Sequence, residues 1–420
     1  MTEAQPEKPA LSALRSNVRA WLAGNWDPER PLLKWRALVA DSGWACPAWP
    51  IEWFGRGLDA TGAAVVSEEF AHIGAVGAAI GAGMSLAAPT MLAHADDGLK
   101  ARLLRPIITG EHKWCQLFSE PGNGSDLAGL ATTARRDGDE WIVSGQKVWT
   151  SGARTATYAM LLARTDWDAP KHRGITYFAI PMDQPGIEVR PLRQMNNKAS
   201  FNEVFLTDAR VSDRDRIGPV GGGWAAALTT LAHERVAAGI RAPQQIRTAL
   251  GRTANEAHAE ATEYLKTYDW YPQRAGRTDL LVDHARRAGV SDDRLIRQQI
   301  ASTLSFNDAT KWTARRAVSA RAAGRAPGPE GSLGKLSGAL LARASAATHA
   351  RVAGAHGMLA AGPDAPFEGV IAEILVSVPG HSIAGGTDEI QRNIVGERVL
   401  GLPKEPADDA EKPFRELRRN

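Results

Sequence analysis

The 420-residue chain has only two cysteines, Cys46 and Cys115. Two cannot build a disulfide framework, and neither sits in a C-x-x-C or a His/Cys cluster with metal-ligand spacing, so no metal centre is expected. A charge excess is also missing: 50 Lys and Arg against 47 Asp and Glu leave a formal net charge of +3. The basic residues are scattered rather than striped, which argues against nucleic acid as a partner. No run of about 18 apolar residues occurs, so no membrane span is expected. The opening residues, MTEAQPEKPA, lack a basic segment followed by an apolar core. The expectation is a soluble protein of the cytoplasm.

What the chain does hold is ordinary in proportion, with 44% hydrophobic and 23% charged residues, and its length allows two or three domains around sizeable cores. Tryptophan is plentiful, and Trp21, Trp26, Trp35, Trp44, Trp49 and Trp53 all fall early. Periodicity divides the chain. Helical stripes are expected over Leu11–Trp26, Leu32–Ser42, Thr61–Ile73 and Leu99–Thr109, with an Ala/Gly-rich, closely packed helical region over Ala75–Ala95. Glu68 and Glu69 read as solvated or ion-paired.

From Glu111 short β-branched and aromatic runs bounded by turns replace the stripes, at Trp141–Val143, Ala159–Ala163, Gly174–Pro181, Ile187–Pro191 and Glu203–Leu206. Gly221–Gly223 reads as a hinge into a helix beginning at Trp224. Helices are expected again over Gln244–Tyr268, Arg294–Arg325 and Ser332–Met358. The fold class is mainly α with a central β domain. Its expected parts are an N-terminal helical domain (1–110), a small β-barrel or sandwich (111–217), a C-terminal helical bundle (218–405) and a mobile charged tail (406–420).

Two stretches carry the chemistry. From Trp114 to Ala153 a strand-like run leads into the turn SEPGNGSD and later into Lys147-Val-Trp-Thr-Ser151. Gly122 and Gly124 favour tight turning and close backbone approach to a ligand. Ser119, Ser125, Thr150 and Ser151 offer hydroxyls, and Trp149 a flat apolar face. That set suits a planar cofactor with polar edges, and equally a loop-rich β segment. On the helix after the β region, Trp224, Ala227, Leu228 and Leu231 mark a buried stripe that extends to Glu234 and Arg235. A carboxylate there is costly unless paired or used. The residues leave both readings open: an ion pair with Arg235 or Arg241, or a working base.

Phe118-Ser-Glu-Pro-Gly-Asn-Gly-Ser-Asp126 resembles the TEPGxGSD signature of the acyl-CoA dehydrogenase family. Lys147-Val-Trp-Thr-Ser151 resembles that family's K-x-W-I-T/S element. Gly385-Gly-Thr-Asp-Glu-Ile-Gln-Arg-Asn393 with Glu397-Arg-Val-Leu-Gly-Leu-Pro403 resembles its closing GGTxEIxRNxxxERxLGLP. The resemblance covers about residues 30 to 405.

It implies a flavoprotein oxidoreductase that holds FAD, oxidises an acyl-CoA thioester to the 2-enoyl-CoA in lipid catabolism, and passes electrons to an electron-transferring flavoprotein. By resemblance Gln116, Phe118, Ser119, Gly124, Ser125, Trp149, Thr150, Ser151, Thr387 and Glu389 contact FAD. Ser125, Arg235 and Gly386 lie near the substrate. Many members place the base just before the Gly-Thr of the closing motif, where this chain has Gly385 and Gly386. Others, similar to isovaleryl-CoA and long-chain types, place it before an Arg on the helix after the β domain; Glu234-Arg235 matches that arrangement, and the resemblance is to a bacterial-type member. His233 is the weaker candidate.

Two departures stand out: no R-x-T-F-G segment is present, and Arg351-Val-Ala-Gly-Ala-His-Gly357 replaces the usual Gln-x-x-Gly-Gly-x-Gly. Either a self-sufficient homo-oligomer such as a tetramer, or one subunit of a hetero-oligomer with a related chain, fits this pattern. A flavin oxidase or monooxygenase on the same fold is a third reading. Straight-chain, branched and steroid-derived acyl groups are all open, with room for a bulky one expected along Gly74–Ala88.

Overall fold

The computed structural model describes residues 9–238, 250–322, 330–406 and 410–417. The backbone falls into two compact units. One holds the chain up to Leu192, Ser200–Thr267 and the C-terminal segment from Asp409; the other holds Arg193–Ala199 and Tyr268–Asp408.

The first unit opens with helices α1 (Pro9–Asn25), α2 (Leu32–Ser42), α3 (Ala60–Ile73), α4 (Ala88–His94) and α5 (Asp97–Thr109). Asp59 caps α3 by accepting from the Gly62 N–H, and Asp96 caps α5 by accepting from Leu99. Trp35, wholly buried, anchors a core with Val18, Leu22 and Phe70, joined by Trp21, Trp26 and Trp44, while Trp49 and Trp53 pack against the core shared with the sheet. Glu69 is buried and held by Arg15 and Arg19, the ion-paired option. The expected helical region over Ala75–Ala95 is not continuous. Left-handed Gly74 ends α3, and helix resumes only at Gly83 as a five-residue π-turn leading into α4. Such turns recur at functional sites.

Seven strands follow: β1 (Trp114–Leu117), β2 (Thr133–Asp137), β3 (Glu140–Ser151), β4 (Tyr158–Arg164), β5 (Ile175–Pro181), β6 (Ile187–Leu192) and β7 (Phe201–Ser212). They form one sheet in the order β1-β4-β2-β3-β7-β6, with β5 paired to β4. Period-two alternation splits its side chains between two cores. Met160, Leu162, Tyr177 and Ala179 face the helices through Met91, Leu103 and Ile107. Leu161, Ala163, Phe178 and Ile180 pack with Val143, Val204 and Val211 on the other side.

Helix α6 (Gly223–Ala238) lies on β5, and α7 (Arg252–Leu265) lies on α2. The glycine run before α6 is a docking seam rather than a hinge. Gly221 N–H donates to Thr176 Oγ1 at 3.0 Å, and a Cβ on Gly223 would stand 2.7 Å from the Thr176 carbonyl carbon. The helix expected from Gln244 begins only at Arg252, after left-handed Gly251; residues 244–249 lie outside the described part.

The tail expected to be mobile docks over residues 410–417. Phe414 is buried, its N–H donates to the Ala169 carbonyl, and Arg415 N–H donates to Trp167. One aromatic ring among charged residues found an apolar seat.

The second unit is helical: α8 (Tyr271–Arg274), α9 (Leu281–Arg287), α10 (Arg294–Ala322), α11 (Glu330–Ala353), α12 (Val370–Ser377), α13 (Pro379–Ile383) and α14 (Asp388–Arg398). Ala342, Ala346, Ile371 and Ile374 form its main core. The Pro366–Arg398 stretch has a window of mean hydropathy 1.2, but breaks at Val378 and at Ala384–Thr387 cut it into helices far shorter than the about 20 residues a span needs. Helical N-terminal part, central β layer and C-terminal helices follow in the expected order.

Candidate active site

Strand β1 delivers Gln116, and the chain leaves it through Phe118 and Ser119 into the glycine-rich turn. Glu120 and Asn123 exchange backbone hydrogen bonds at 3.0 and 3.1 Å, which closes that turn. Gly122 and Gly124 are not in the left-handed region; Gly124 and Ser125 are exposed at the turn's tip.

Below the turn lies a buried brace. Lys147 Nζ donates to Glu120 Oε1 at 2.8 Å and to the Phe118 carbonyl at 3.1 Å. Glu120 also accepts from the Ala131 and Thr132 N–H groups at 2.7 and 2.9 Å. Burial pushes the Glu120 carboxyl up, but the Lys147 charge and these bonds outweigh it and hold the group below the usual carboxylate range. Sequence reading passed over both residues. The signal was an acidic residue and a lysine inside the two quoted motifs.

The brace fixes β3 beside the turn: Val148 N–H donates to the Ser119 carbonyl at 2.9 Å. One residue further, the β3–β7 register shifts between Lys147 and Thr150. At that bulge Trp149 takes a φ of 63° and stands 56% exposed, edge-on to Phe201. Left-handed backbone in a bulky residue is strained and concentrates at functional sites. Thr150 next to it is buried, and its Oγ1 has no hydrogen-bond partner among the described residues. Asn202 donates to the Thr150 carbonyl at 2.9 Å, and Ser151 is half-buried.

Helix α6 approaches from the other side. Its buried face is Gly223, Ala226, Ala227 and Thr230, with Trp224 and Leu231 partly covered. Leu228, expected on that stripe, is exposed because the contact face turns toward β5 and α4. Thr230 is pinned by two hydroxyls, Thr90 at 2.8 Å and Tyr177 at 3.0 Å. Tyr177 also meets the Phe118 ring edge-on at 5.7 Å, so one side chain ties α6 to the turn. Four residues past Thr230, half-buried Glu234 meets Gln116, whose Nε2 lies 3.4 Å from Glu234 Oε2. His233 is exposed, and burial of part of its ring pushes its imidazole down. The side chains of Arg235 and Arg241 lie outside the described residues.

The structure thus brings together Gln116, Phe118, Ser119, Trp149, Thr150, Ser151 and Glu234 within the first unit. The closing motif belongs to the second. There Thr387 caps α14, its Oγ1 accepting from Ile390 N–H at 3.3 Å. Glu389 is exposed beside Arg392. Gly386 is left-handed at φ 85°, with Gln391 Nε2 only 2.5 Å from where a Cβ would stand. Buried Asp388, unnoticed in the sequence, pairs with Lys335 at 3.3 Å and Arg343 at 3.2 Å.

Three family profiles match in chain order: Acyl-CoA dehydrogenase, N-terminal domain over residues 10–111, middle domain over 115–209 and C-terminal domain over 275–400. The chain is 34% identical over 418 residues to the acyl-CoA dehydrogenase IpdE1 of Mycobacterium tuberculosis, covering 94% of this chain and 98% of that one. Among solved structures it resembles the ChsE4-ChsE5 complex of Mycobacterium tuberculosis, at TM-score 0.63 and 27% identity over 96% of this chain and all of the other. A steroid ACAD, Tcur3481-Tcur3483, matches at TM-score 0.63 and 25% identity, again over 96% and all of the other chain.

Proposed function

The chain belongs to the acyl-CoA dehydrogenase family of oxidoreductases, with FAD as cofactor, and we propose that it performs α,β-dehydrogenation of an acyl-CoA as one subunit of a two-chain complex. The observation that carries the chemistry is the approach of Gln116 to Glu234. Glu234 is the base that removes the α-proton of the thioester. Gln116 donates to one carboxylate oxygen, and the carboxylate faces the substrate.

The residues present suit FAD. Trp149 offers a half-exposed ring held by a strained backbone, and Thr150 Oγ1, without a partner among the described residues, offers a hydroxyl. Phe118, Ser119, Gly124, Ser125 and Ser151 border the same region from the turn and β3. Bound there, FAD supplies the acceptor for the hydride lost from the β-carbon. Helix α6 supplies the proton acceptor on a rigid element, pinned through Thr230, Thr90 and Tyr177.

The two-chain assembly is supported by likeness to the ChsE4-ChsE5 complex and to the steroid ACAD Tcur3481-Tcur3483. It is also supported by the closing motif. Thr387 serves as a helix cap, Glu389 pairs in solvent with Arg392, and no R-x-T-F-G arginine exists. A related chain would complete the FAD contacts that Thr387 and Glu389 were expected to make. A bulky steroid-type acyl group is the favoured substrate class, and an electron-transferring flavoprotein the favoured acceptor.

The test is flavin content of the chain purified alone and after co-expression with a related chain. Colourless protein alone, and a co-purified pair whose flavin bleaches with an acyl-CoA, is the expected result. One FAD per chain in the protein alone, bleached by substrate, would replace the two-chain reading with a self-sufficient enzyme. Rapid reaction of the reduced flavin with oxygen would make it an oxidase instead.

A further inference from the structure

We propose that residues 410–417 form a strap that holds the glycine-rich turn in its ligand-binding shape, with Phe414 as a positioning residue acting through Arg164 and Lys171. This rests on the reading of Ser119–Asp126 as a cofactor and acyl-CoA turn.

The strap lies along the loop between β4 and β5. Pro413 bridges Pro170, Phe414 N–H donates to Ala169, and Arg415 N–H donates to Trp167, both at 3.0 Å. Ion pairs of Glu411 with Arg173 and of Arg415 with Asp168 flank it. At its centre the Phe414 ring, 3% exposed, covers the Arg164 guanidinium at 3.4 Å from its centroid, with Trp167 at 5.4 Å.

Arg164 is itself fully buried and donates to the carbonyls of Ala128, Leu130 and Lys171 at 2.7, 3.1 and 3.2 Å. Ala128 and Leu130 are the residues into which the glycine-rich turn runs. Lys171 then reaches Asp126, the last residue of the turn, at 3.1 Å. A path of direct contacts therefore runs from the strap to both the floor and the end of the turn. Without the ring, water would reach the guanidinium and compete for its carbonyl partners, because a desolvated donor loses its advantage once hydrated.

The experiment compares hydrogen exchange and ligand affinity of the co-purified complex with and without Phe414→Ala. Exchange of the Gly122–Gly129 amides is expected to rise about tenfold along with that of residues 165–174. FAD and acyl-CoA affinity is expected to fall about tenfold, since misplacing a binding element by an ångström has effects of this order or more. A rise confined to residues 165–174 and 410–417 would overturn the proposal. If the alanine variant does not fold, Phe414→Leu keeps an apolar plug and gives the same pattern at smaller amplitude.

Gly124→Val separates the strap from the reading beneath it. Nothing lies within 4 Å of a Cβ at Gly124, so the fold tolerates the change. Unchanged affinities in Gly124→Val would mean the turn is not a ligand site. Weakened binding there with normal binding in Phe414→Ala would sink the strap alone.

Discussion

Lys147 Nζ stands 2.8 Å from Glu120 Oε1, with both side chains shut away from solvent. The pair joins the turn that leaves β1 to the strand that displays Trp149, so two motifs 27 residues apart share one brace. Lys147→Met leaves a buried carboxylate without its cation, and breaking a buried pair this way costs about 3–5 kcal/mol. The measurement is urea unfolding. Glu120→Gln combined with Lys147→Met should recover part of the loss, since neither partner is then left charged. An additive double mutant would mean the two groups act separately.

The same pair sets an acid limit. The folded carboxyl of Glu120 lies below its ordinary 4.5, so its contribution to stability is full above that value. It is lost as pH falls through the lower folded value. Lys147→Met protein should show a flatter stability curve below pH 4.5 than the natural chain.

Glu234 and Gln116 give a prediction about rate. Glu234→Gln should leave FAD content and acyl-CoA binding intact and slow flavin bleaching by about 10²–10⁴-fold, the usual contribution of a general base. Gln116→Leu removes the amide that orients the carboxylate, and should slow bleaching by a smaller factor without loss of flavin. Stopped-flow absorbance under anaerobic conditions reads both. Undiminished bleaching in Glu234→Gln would assign the base elsewhere.

The order of the three parts, the strands and the turn were legible in the chain because alternation, helical stripes and Gly/Pro punctuation are local signals. What was not legible depends on contacts distant in sequence. Leu228 fits the stripe by spacing, yet the face of α6 is chosen by where β5 and α4 lie. Phe414 sits in a charged tail whose composition reads as solvated, and only the seat beside Arg164 explains its burial. Glu120 and Lys147 were visible as letters, but their burial depends on Ala131, Thr132 and Phe118 converging on them.

Gly83 shows the opposite kind of correction. Room for a bulky acyl group was expected along Gly74–Ala88, but at Gly83 a Cβ would stand 3.0 Å from Trp114 and 3.2 Å from Ile107. At Gly83 itself the space is filled by Trp114 and Ile107, whereas a Cβ at Gly77 would meet nothing within 4 Å. Gly83→Leu should therefore lower stability by about 1–3 kcal/mol through overpacking, and slow large and small substrates alike. Selective loss of large substrates with unchanged unfolding midpoints would restore the pocket idea.

The second unit carries its own pH dependence. His284 and His349 are buried with their Nδ1 atoms 3.0 Å apart, and His349 Nε2 lies 3.2 Å from the Arg277 carbonyl. His349 therefore donates from Nε2 and accepts at Nδ1, which makes His284 the Nδ1 donor and leaves its Nε2 without a partner among the described residues. Burial pushes the His284 imidazole down to about 4, helped by the neighbouring His349. Between that value and the ordinary 6.5 the unfolded chain binds a proton that the folded one does not, so stability falls as pH drops from about 6.5 toward 4. Thermal melting at pH 8 and pH 5 should show a lower midpoint at pH 5. His284→Phe, which cannot take the proton, should narrow that gap while losing the hydrogen bond to His349 at every pH. An equal gap in the variant would place the acid sensitivity in other groups.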